Sequence, residues 1–187
     1  MRVLVTGGTS GFGQKLVGHF GPDALGLGRG NGWNLSALET HKKVADISLD
    51  FDVFINFAFI SCEVQLNLLQ QVFGRWTQET KKGLIVNFGT INTYYKRNTL
   101  NRYAIQKASL DEACRQMSKM AISGETQARV TNLRPGFLDM EKNQGKSQYS
   151  GHGLSVDQVG DLVNLLFKHE TLVYPEVIVD TRQKYGE

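Results

Sequence analysis

The chain contains few cysteines and no long apolar run. Among its 187 residues are two cysteines, Cys62 and Cys114, too few for a disulfide framework. They also lack the CxxC spacing or histidine-rich surroundings of a metal site, so we expect two buried thiols and no metal. No apolar stretch approaches the roughly 20 residues that a membrane helix requires. Because no amino-terminal signal segment is recognisable either, the sequence favours a cytoplasmic protein without a membrane partner.

Strong charge of one sign is also lacking. The formal net charge is +3, and the lysines and arginines are scattered singly or in pairs such as Lys42-Lys43 and Lys81-Lys82. A nucleic-acid-binding surface usually needs a basic stripe that follows the phosphates. We therefore expect no nucleic-acid partner. The length suits one domain over residues 1–187.

Segments typical of strands and of helices alternate along the chain. The predicted strands are 2–5, 24–28, 34–35, 52–58, 83–88, 129–133 and 176–180, and the predicted helices are 11–20, 36–44, 64–80, 101–122 and 155–168. Ser155 is the predicted cap of the last helix. This alternation predicts an α/β fold, namely a three-layer, doubly wound parallel sheet of the Rossmann type with helices on both faces.

The opening segment, MRVLVTGGTSGFG, has the pattern of a strand, a glycine-rich turn and a helix. At such a helix start, backbone N–H groups and the helix dipole attract the pyrophosphate of a dinucleotide. Gly7 suits the tight turn, Gly11 a close approach to phosphate, and Gly13 close packing of the helix on the strand. The cofactor contacts predicted here are Gly7, Thr9, Ser10, Gly11, Phe12 and Gly13. The alternative is a glycine-rich turn without a ligand.

Tyr103 and Lys107 are four residues apart in the longest predicted helix. Residues at this spacing lie on one face of a helix, one turn from each other. An ammonium group near a phenol favours the phenolate, so we expect Lys107 to lower the pKa of Tyr103. Beside a bound nicotinamide, such a pair can move a proton while the cofactor moves a hydride.

The glycine turn (TGxxxGxG) and the YxxxK pair together resemble the short-chain dehydrogenase/reductase superfamily, from Met1 to about Gly136 and more loosely beyond. The resemblance implies that Tyr103 is the acid/base and that Lys107 also binds the nicotinamide ribose. It implies that Thr90, thirteen residues before Tyr103, holds the carbonyl oxygen and that Asn67 helps to relay protons. The alternatives are a strand-end hydroxyl bonded to backbone at Thr90 and an ordinary helix residue at Asn67.

Other predicted contacts concern the rest of the cofactor. Arg29 follows the second strand, and no acidic residue occurs between Asp23 and Glu39, which favours the 2′-phosphate of NADP(H) over NAD(H). A solvated arginine at a strand end is the alternative. The resemblance further implies contacts to the adenosine ribose and to the nicotinamide carboxamide, at Asn56, Phe57, Ala58, Pro135 and Gly136.

The adenine contact has two candidates. Asp46 resembles the family's acidic residue after the third strand, but only ten residues separate it from Asn56, too few for a helix and a strand. We therefore predict Asn34 and Leu35 beside adenine and assign Asp46 to a loop.

The sequence departs from the family at several positions near the predicted pocket. Phe57 and Phe59 interrupt the usual Asn-Asn-Ala-Gly pattern, and Asp139 stands where a threonine is common. A short substrate lid is predicted near 137–153, and Tyr94 and Tyr95 are candidates to line the substrate pocket.

The predicted function is an NADP(H)-dependent oxidoreductase of the short-chain dehydrogenase/reductase type, which interconverts a small carbonyl compound and its alcohol by hydride transfer. The alternatives are a catalytically silent NADP(H)-binding redox sensor and a sugar-nucleotide reductase or epimerase-like enzyme. The resemblance also implies a homodimer or homotetramer, associated through the helices around Leu66 and Leu110.

Overall fold

One parallel sheet runs through the described part of the chain, which in this computed structural model is residues 1–93, 100–143 and 153–181. Its strands are β1 (Val3–Thr6), β2 (Ala24–Leu27), β3 (Val53–Asn56), β4 (Gly83–Phe88), β5 (Ala128–Pro135) and β6 (Glu176–Val179). They lie in the order β2-β1-β3-β4-β5-β6, and every neighbouring pair is parallel. The predicted parallel α/β sheet is confirmed.

Helices cover both faces of this sheet. They are α1 (Gly11–Phe20), α2 (Leu38–Ser48), α3 (Cys62–Gln78), α4 (Arg102–Ile122) and α5 (Val156–Lys168). Successive side chains of a strand point to opposite faces, so Leu4 packs with α2, α3 and α4, whereas Val3 and Val5 pack with α1 and α5. Two apolar clusters result, one on each face, which confirms the three-layer prediction.

The segment between β2 and β3 differs from its prediction. No strand forms at 34–35, where the side-chain oxygen of Asn34 accepts a hydrogen bond from the Ser36 N–H (3.2 Å) and turns the chain into α2. The prediction that Asp46 lies in a loop is wrong, because α2 continues to Ser48. Buried Val44 and Ser48 lie one turn apart on its inner face, while Asp46 pairs with Arg75 of α3 (2.9 Å). Packing against α3 therefore extends the helix.

Several smaller expectations can be compared with the fold. Cys62 and Cys114 are buried free thiols, as predicted. Ser155 caps α5 through a capping box with Gln158, also as predicted. Leu110 is fully buried inside the chain.

None of the helices in the described ranges is both long enough and apolar enough to span a membrane.

The carboxyl ends of the strands position the candidate site. In a parallel sheet these ends meet at one edge, where ligands of open α/β folds usually bind. The glycine turn follows β1, residues 57–61 follow β3, and residues 89–93 follow β4. Asn101 caps α4 by accepting a hydrogen bond from the Ala104 N–H (3.2 Å), which places Tyr103 and Lys107 in the first turns of that helix.

Candidate active site

The glycine turn packs closely against the chain that leaves β3. Gly7 has a φ of +74°, and a Cβ atom there would lie 3.2 Å from the Ala58 Cα. A Cβ atom at Gly13 would lie 2.2 Å from the Gly7 carbonyl oxygen, so any side chain at position 13 would push α1 away from the turn. These two glycines let the start of α1 sit directly on the strand ends.

The start of α1 has the features of an anion site. Ser10, at its N-cap, is exposed and makes no side-chain capping bond, and the first turn has no acidic residue. Gly11 has a φ of +53°, and its Cβ direction opens into free space, with no other heavy atom within 4 Å. The helix N-terminus therefore retains the N–H groups and the room that a phosphate requires.

Thr9 and Phe12 have structural contacts. The Thr9 side chain lies against the backbone at Gly28, where an added Cβ would be 2.3 Å from the Thr9 Oγ1. Phe12 is buried and stacks on Phe57, with 5.9 Å between the ring centres. Only the backbone of Phe12 is available to a ligand.

Thr6 joins the ends of β1 and β3, a role that we did not identify from the sequence. Its hydroxyl oxygen accepts hydrogen bonds from the N–H groups of Phe57 (3.1 Å) and Ala58 (3.2 Å). The side chain of Asn56 is fully buried and donates to the Asn87 Oδ1 (3.1 Å) and the Gln65 carbonyl (2.9 Å). The side-chain amide of Asn56 is therefore used in hydrogen bonds inside the protein. In this segment, only the backbone of residues 56–58 could contact a cofactor.

Three residues were predicted to contact the adenosine phosphate or adenine, and two of them are exposed while the third is buried. Arg29 begins a 3-10 turn (Arg29–Asn31) directly after β2, and its exposed side chain has no ion pair within the described ranges. Asn34 is exposed in the following turn. Leu35, in contrast, is buried in the core, and its carbonyl oxygen accepts a hydrogen bond from His41 Nε2 (2.7 Å). The prediction that the Leu35 side chain lies beside adenine is therefore wrong, because this side chain packs in the core.

Lys107 is buried at the carboxyl edge of β4. Its side-chain nitrogen donates to the Gln65 Oε1 (2.7 Å) and to the Phe88 carbonyl (2.8 Å), and only 2% of the residue is exposed. Burial disfavours the charged form and lowers the pKa of Lys107 to about 8, although the nearby Cys62, Asp111 and Cys114 side chains partly oppose this change. The ammonium is therefore held by neutral oxygen acceptors.

Tyr103 lies one turn before Lys107, and the Thr90 side chain lies close to its hydroxyl group. The Lys107 nitrogen is 5.9 Å from the centre of the Tyr103 ring. Burial raises the pKa of Tyr103, while the nearby Thr90 side chain partly lowers it. The expected lowering of the Tyr103 pKa by Lys107 is not found, because burial raises this pKa, and the phenol is protonated at neutral pH. Thr90 itself is buried, with 6% exposed.

Phe59 connects the glycine turn to the Tyr103–Lys107 pair. Its ring packs edge-on against Tyr103, with 5.2 Å between the ring centres, and lies 4.7 Å from the Lys107 nitrogen. Because Ala58 contacts Gly7, the two consecutive residues Ala58 and Phe59 bring the two sequence patterns to one place.

An ion-pair cluster around Arg134 of β5 contacts residues 90 and 93, which follow β4. Arg134 pairs with Asp111 of α4 (3.2 Å) and with Glu176 of β6, and it donates to Thr93 and to the Thr90 carbonyl (3.4 Å). The Arg134 side chain is only 9% exposed, so removing its acidic partners would leave a buried charge without compensation. This cluster was not predicted, since its members lie on separate elements.

Asn67 does not join the other catalytic candidates. It lies in the groove between α2 and α3 with Glu39, Lys42 and Gln70. The residue of α3 that reaches Lys107 is Gln65, which is fully buried. In a helix, positions 65 and 67 point in directions about 200° apart, so only one of them can face the sheet.

The candidates after β5 lie next to β6. The Gly136 N–H donates to the Val179 carbonyl (2.9 Å), and Pro135 is buried in β5. Asp139 is exposed, and its N–H donates to the Leu154 carbonyl (2.9 Å). Leu138 and Leu154 pair, so the two ends of the predicted lid meet. Most of that lid (144–152), Tyr94 and Tyr95 lie outside the described residues.

Comparisons with known proteins identify the fold. No protein-family model matches the sequence, and no curated protein does. Among solved structures, a gluconate 5-dehydrogenase from Burkholderia cenocepacia J2315, in complex with NADP and tartrate, matches with a TM-score of 0.74 and 16% identity, covering 96% of this chain and 93% of that one.

Two further solved structures have a similar fold. A short-chain type dehydrogenase/reductase from Mycobacterium ulcerans matches with a TM-score of 0.72 and 14% identity over 96% of this chain and 88% of that one. A 3-ketoacyl-(acyl-carrier-protein) reductase from Brucella melitensis, complexed with NADH, has a TM-score of 0.69 and 15% identity over 96% of each chain. The chain therefore has the fold of the short-chain dehydrogenases/reductases, as the sequence patterns predict.

Proposed function

We propose that the protein is an NADP(H)-dependent oxidoreductase that interconverts a small carbonyl compound and its alcohol. The observation that carries the proposal is the position of residues 58 and 59. Ala58 lies against Gly7 of the glycine turn, and Phe59 lies against both Tyr103 and Lys107. A dinucleotide whose pyrophosphate binds at the start of α1 could therefore extend along the backbone of these residues towards the Tyr103 hydroxyl, once the Phe59 ring is displaced.

The residues of the chain supply the proton chemistry. A bound reduced nicotinamide supplies the hydride. Tyr103 donates a proton to the carbonyl oxygen, and its raised pKa keeps the phenol protonated at neutral pH, as a donor must be. Thr90, whose side chain lies close to the Tyr103 hydroxyl, holds the same oxygen. With a pKa of about 8, Lys107 is mostly cationic at pH 7 and stabilises the phenolate that remains.

The free start of α1 favours a dinucleotide, and the exposed Arg29 favours NADP(H) over NAD(H). Gly7, Thr9, Ser10, Gly11 and the backbone of Phe12 and Gly13 would hold the pyrophosphate, and Arg29 would bind the 2′-phosphate. Asn34, the backbone of 56–58 and the turn at Pro135-Gly136 complete the proposed cofactor contacts.

We further propose a cytoplasmic, single-domain homo-oligomer, and light scattering of the purified chain tests the oligomeric state.

Cofactor preference is tested by titrating the protein with NADPH and with NADH. NADPH should bind more tightly, and Arg29→Ser should weaken NADPH binding about tenfold or more while leaving NADH unchanged, because a charge-assisted bond to the phosphate is lost. Arg115→Ser, at an exposed arginine on the far part of α4, is the matched control. Equal affinity of the unmodified protein for the two cofactors would refute the preference.

A second candidate is a dinucleotide sensor without turnover. The observation that favours it is the Phe59 ring, which covers Lys107 on the side towards Tyr103. Oxidation of NADPH with a panel of aldehydes and ketones separates the two functions. Turnover of any carbonyl compound supports the enzyme, and tight NADPH binding without turnover across the panel supports the sensor.

A further inference from the structure

We propose that Gln65 is the positioning residue for Lys107 in this active site. This inference rests on the proposed function, because it assigns Gln65 a role in the same proton transfer. Gln65 lies in the first turn of α3 and Lys107 in the second turn of α4, and their side chains meet beneath Phe59. Gln65 acts through Lys107 and has no assigned contact with the substrate.

The orientation of the Gln65 amide is determined by its surroundings. Its Nε2 group donates to the Asn56 carbonyl (3.0 Å), the Phe88 carbonyl (3.1 Å) and the Asn87 Oδ1 (3.3 Å). All three are acceptors, so a flipped amide would place an oxygen against oxygens. The Oε1 atom must therefore point to Lys107, where it accepts a hydrogen bond of 2.7 Å.

A row of asparagines holds the Gln65 amide in place. Asn56, Asn87 and Asn132 are aligned across β3, β4 and β5, and their side chains are buried. Asn56 donates to the Asn87 Oδ1 (3.1 Å), and Asn87 donates to the Asn132 Oδ1 (3.1 Å). Asn132 in turn donates to Asp111 of α4 (2.7 Å). Each amide is thus oriented by the next, which leaves Gln65 little freedom to turn away from Lys107.

The groups around Lys107 explain why one neutral acceptor matters. Its two hydrogen-bond acceptors in the described structure are the Gln65 Oε1 and the Phe88 carbonyl. The titratable groups that face it are Cys62 from α3 together with Tyr103, Asp111 and Cys114 from α4, and Asp111 is paired with Arg134 of β5. Without Gln65, the buried ammonium would keep a single acceptor, and the neutral amine would be favoured.

The expected effect is a change in the proton affinity of Lys107. Gln65→Met keeps the length of the side chain but removes both amide groups. The pKa of Lys107 should then fall by about one unit or more, since a hydrogen bond to a charged group is lost. In turnover, the fall in kcat that follows deprotonation of Lys107 should move to lower pH by the same amount, with the loss larger at pH 8 than at pH 6.

The direct test is an NMR titration of the protein labelled with ¹³Cε-lysine. The Lys107 resonance is assigned by its disappearance in Lys107→Met, and it is followed in the unmodified protein, in Gln65→Met and in Gln71→Met. Gln71 is an exposed glutamine of the same helix, so this variant repeats the chemical change away from Lys107. A pKa that falls in Gln65→Met but not in Gln71→Met supports the proposal, and an unchanged pKa in Gln65→Met overturns it.

Two provisions keep the test decisive. If Gln65→Met does not give a cooperative thermal transition, Gln65→Asn replaces it, because the shorter amide retains polarity but withdraws its oxygen from Lys107. The same fall supports the proposal, and an unchanged pKa overturns it. Absence of turnover in the unmodified protein would overturn the proposed function alone, since the titration needs neither cofactor nor substrate.

Discussion

The Phe59 ring lies directly over the ammonium of Lys107, with 4.7 Å between the ring centre and the side-chain nitrogen. A cation at this distance from a ring face is attracted by the electrons of the ring. The same ring packs edge-on against Tyr103, while 43% of Phe59 remains exposed. Phe59 therefore partly covers the two residues to which the proton transfer is assigned.

We predict that Phe59→Ala tightens NADPH binding by about three- to tenfold, because the cofactor no longer has to displace a cation–π contact worth about 1 kcal/mol. Isothermal titration with NADPH measures the change. Ile60→Ala, at the neighbouring exposed residue, is the control. Weaker binding in Phe59→Ala would mean that the ring contacts the cofactor instead of covering its site.

Tyr103→Phe removes the proposed proton donor and leaves the ring that packs on Phe59. Carbonyl reduction should fall by at least about a hundredfold, the usual contribution of a general acid, while the NADPH dissociation constant stays the same. Steady-state kinetics and titration give the two quantities. Tyr174→Phe, at a half-buried tyrosine near β6, should change neither. Turnover retained in Tyr103→Phe would assign the acid to another group.

The two glycines Gly13 and Gly18 of α1 should respond oppositely to alanine. At Gly13 a Cβ would lie 2.2 Å from the Gly7 carbonyl oxygen, so Gly13→Ala should destabilise the fold by about 2 kcal/mol or more. Gly18 is an exposed residue of the same helix with no heavy atom within 4 Å of its Cβ position, so Gly18→Ala should stabilise by about 0.5–1 kcal/mol. Urea unfolding measures both, and equal effects would contradict the packing described for Gly13.

Lys107 should make stability depend on pH in the alkaline range. Its pKa of about 8 in the folded protein lies below the ordinary lysine value of 10.5, so the unfolded chain holds more protons between these limits. Stability from this group is therefore lowest below pH 8 and rises as the pH increases towards 10.5, by about 3 kcal/mol at most. The free energy of unfolding of the unmodified protein, minus that of Lys107→Met, should rise between pH 7 and pH 10. A difference that stays flat would show that Lys107 is solvated in the folded state.

Much of the fold could be predicted because its strands are short apolar runs between turn-forming residues. The bounds of α1 and β4 agree with their predictions, and Ser155 caps α5 as expected. The helix predicted at 36–44 forms, but at 38–48. The strand at 34–35 and the loop at Asp46 were wrong, because a turn stabilised by the Asn34 side chain and packing of α2 on α3 outweigh local propensity.

Part of the candidate site could also be predicted. The spacing of Tyr103 and Lys107 on one helix follows from helical geometry, and Thr90 follows β4 closely enough to reach Tyr103. Gln65 could not be chosen over Asn67 in this way. Both are amides within one turn of α3, and which of them faces the sheet depends on how that helix docks.

The sequence by itself determined the alternation of strands and helices, the glycine turn and the Tyr103–Lys107 pair, because these depend on local periodicity and spacing. Only the tertiary structure decided what surrounds Lys107: the Gln65 amide, the Phe88 carbonyl and the Phe59 ring come from separate elements. Desolvation and hydrogen bonding set the proton affinity of a buried amine, and both arise from contacts between residues distant in sequence. The spacing that marks Tyr103 and Lys107 as a catalytic pair is local in the sequence. The pKa of Lys107, in contrast, depends on how the sheet and the helices pack around it.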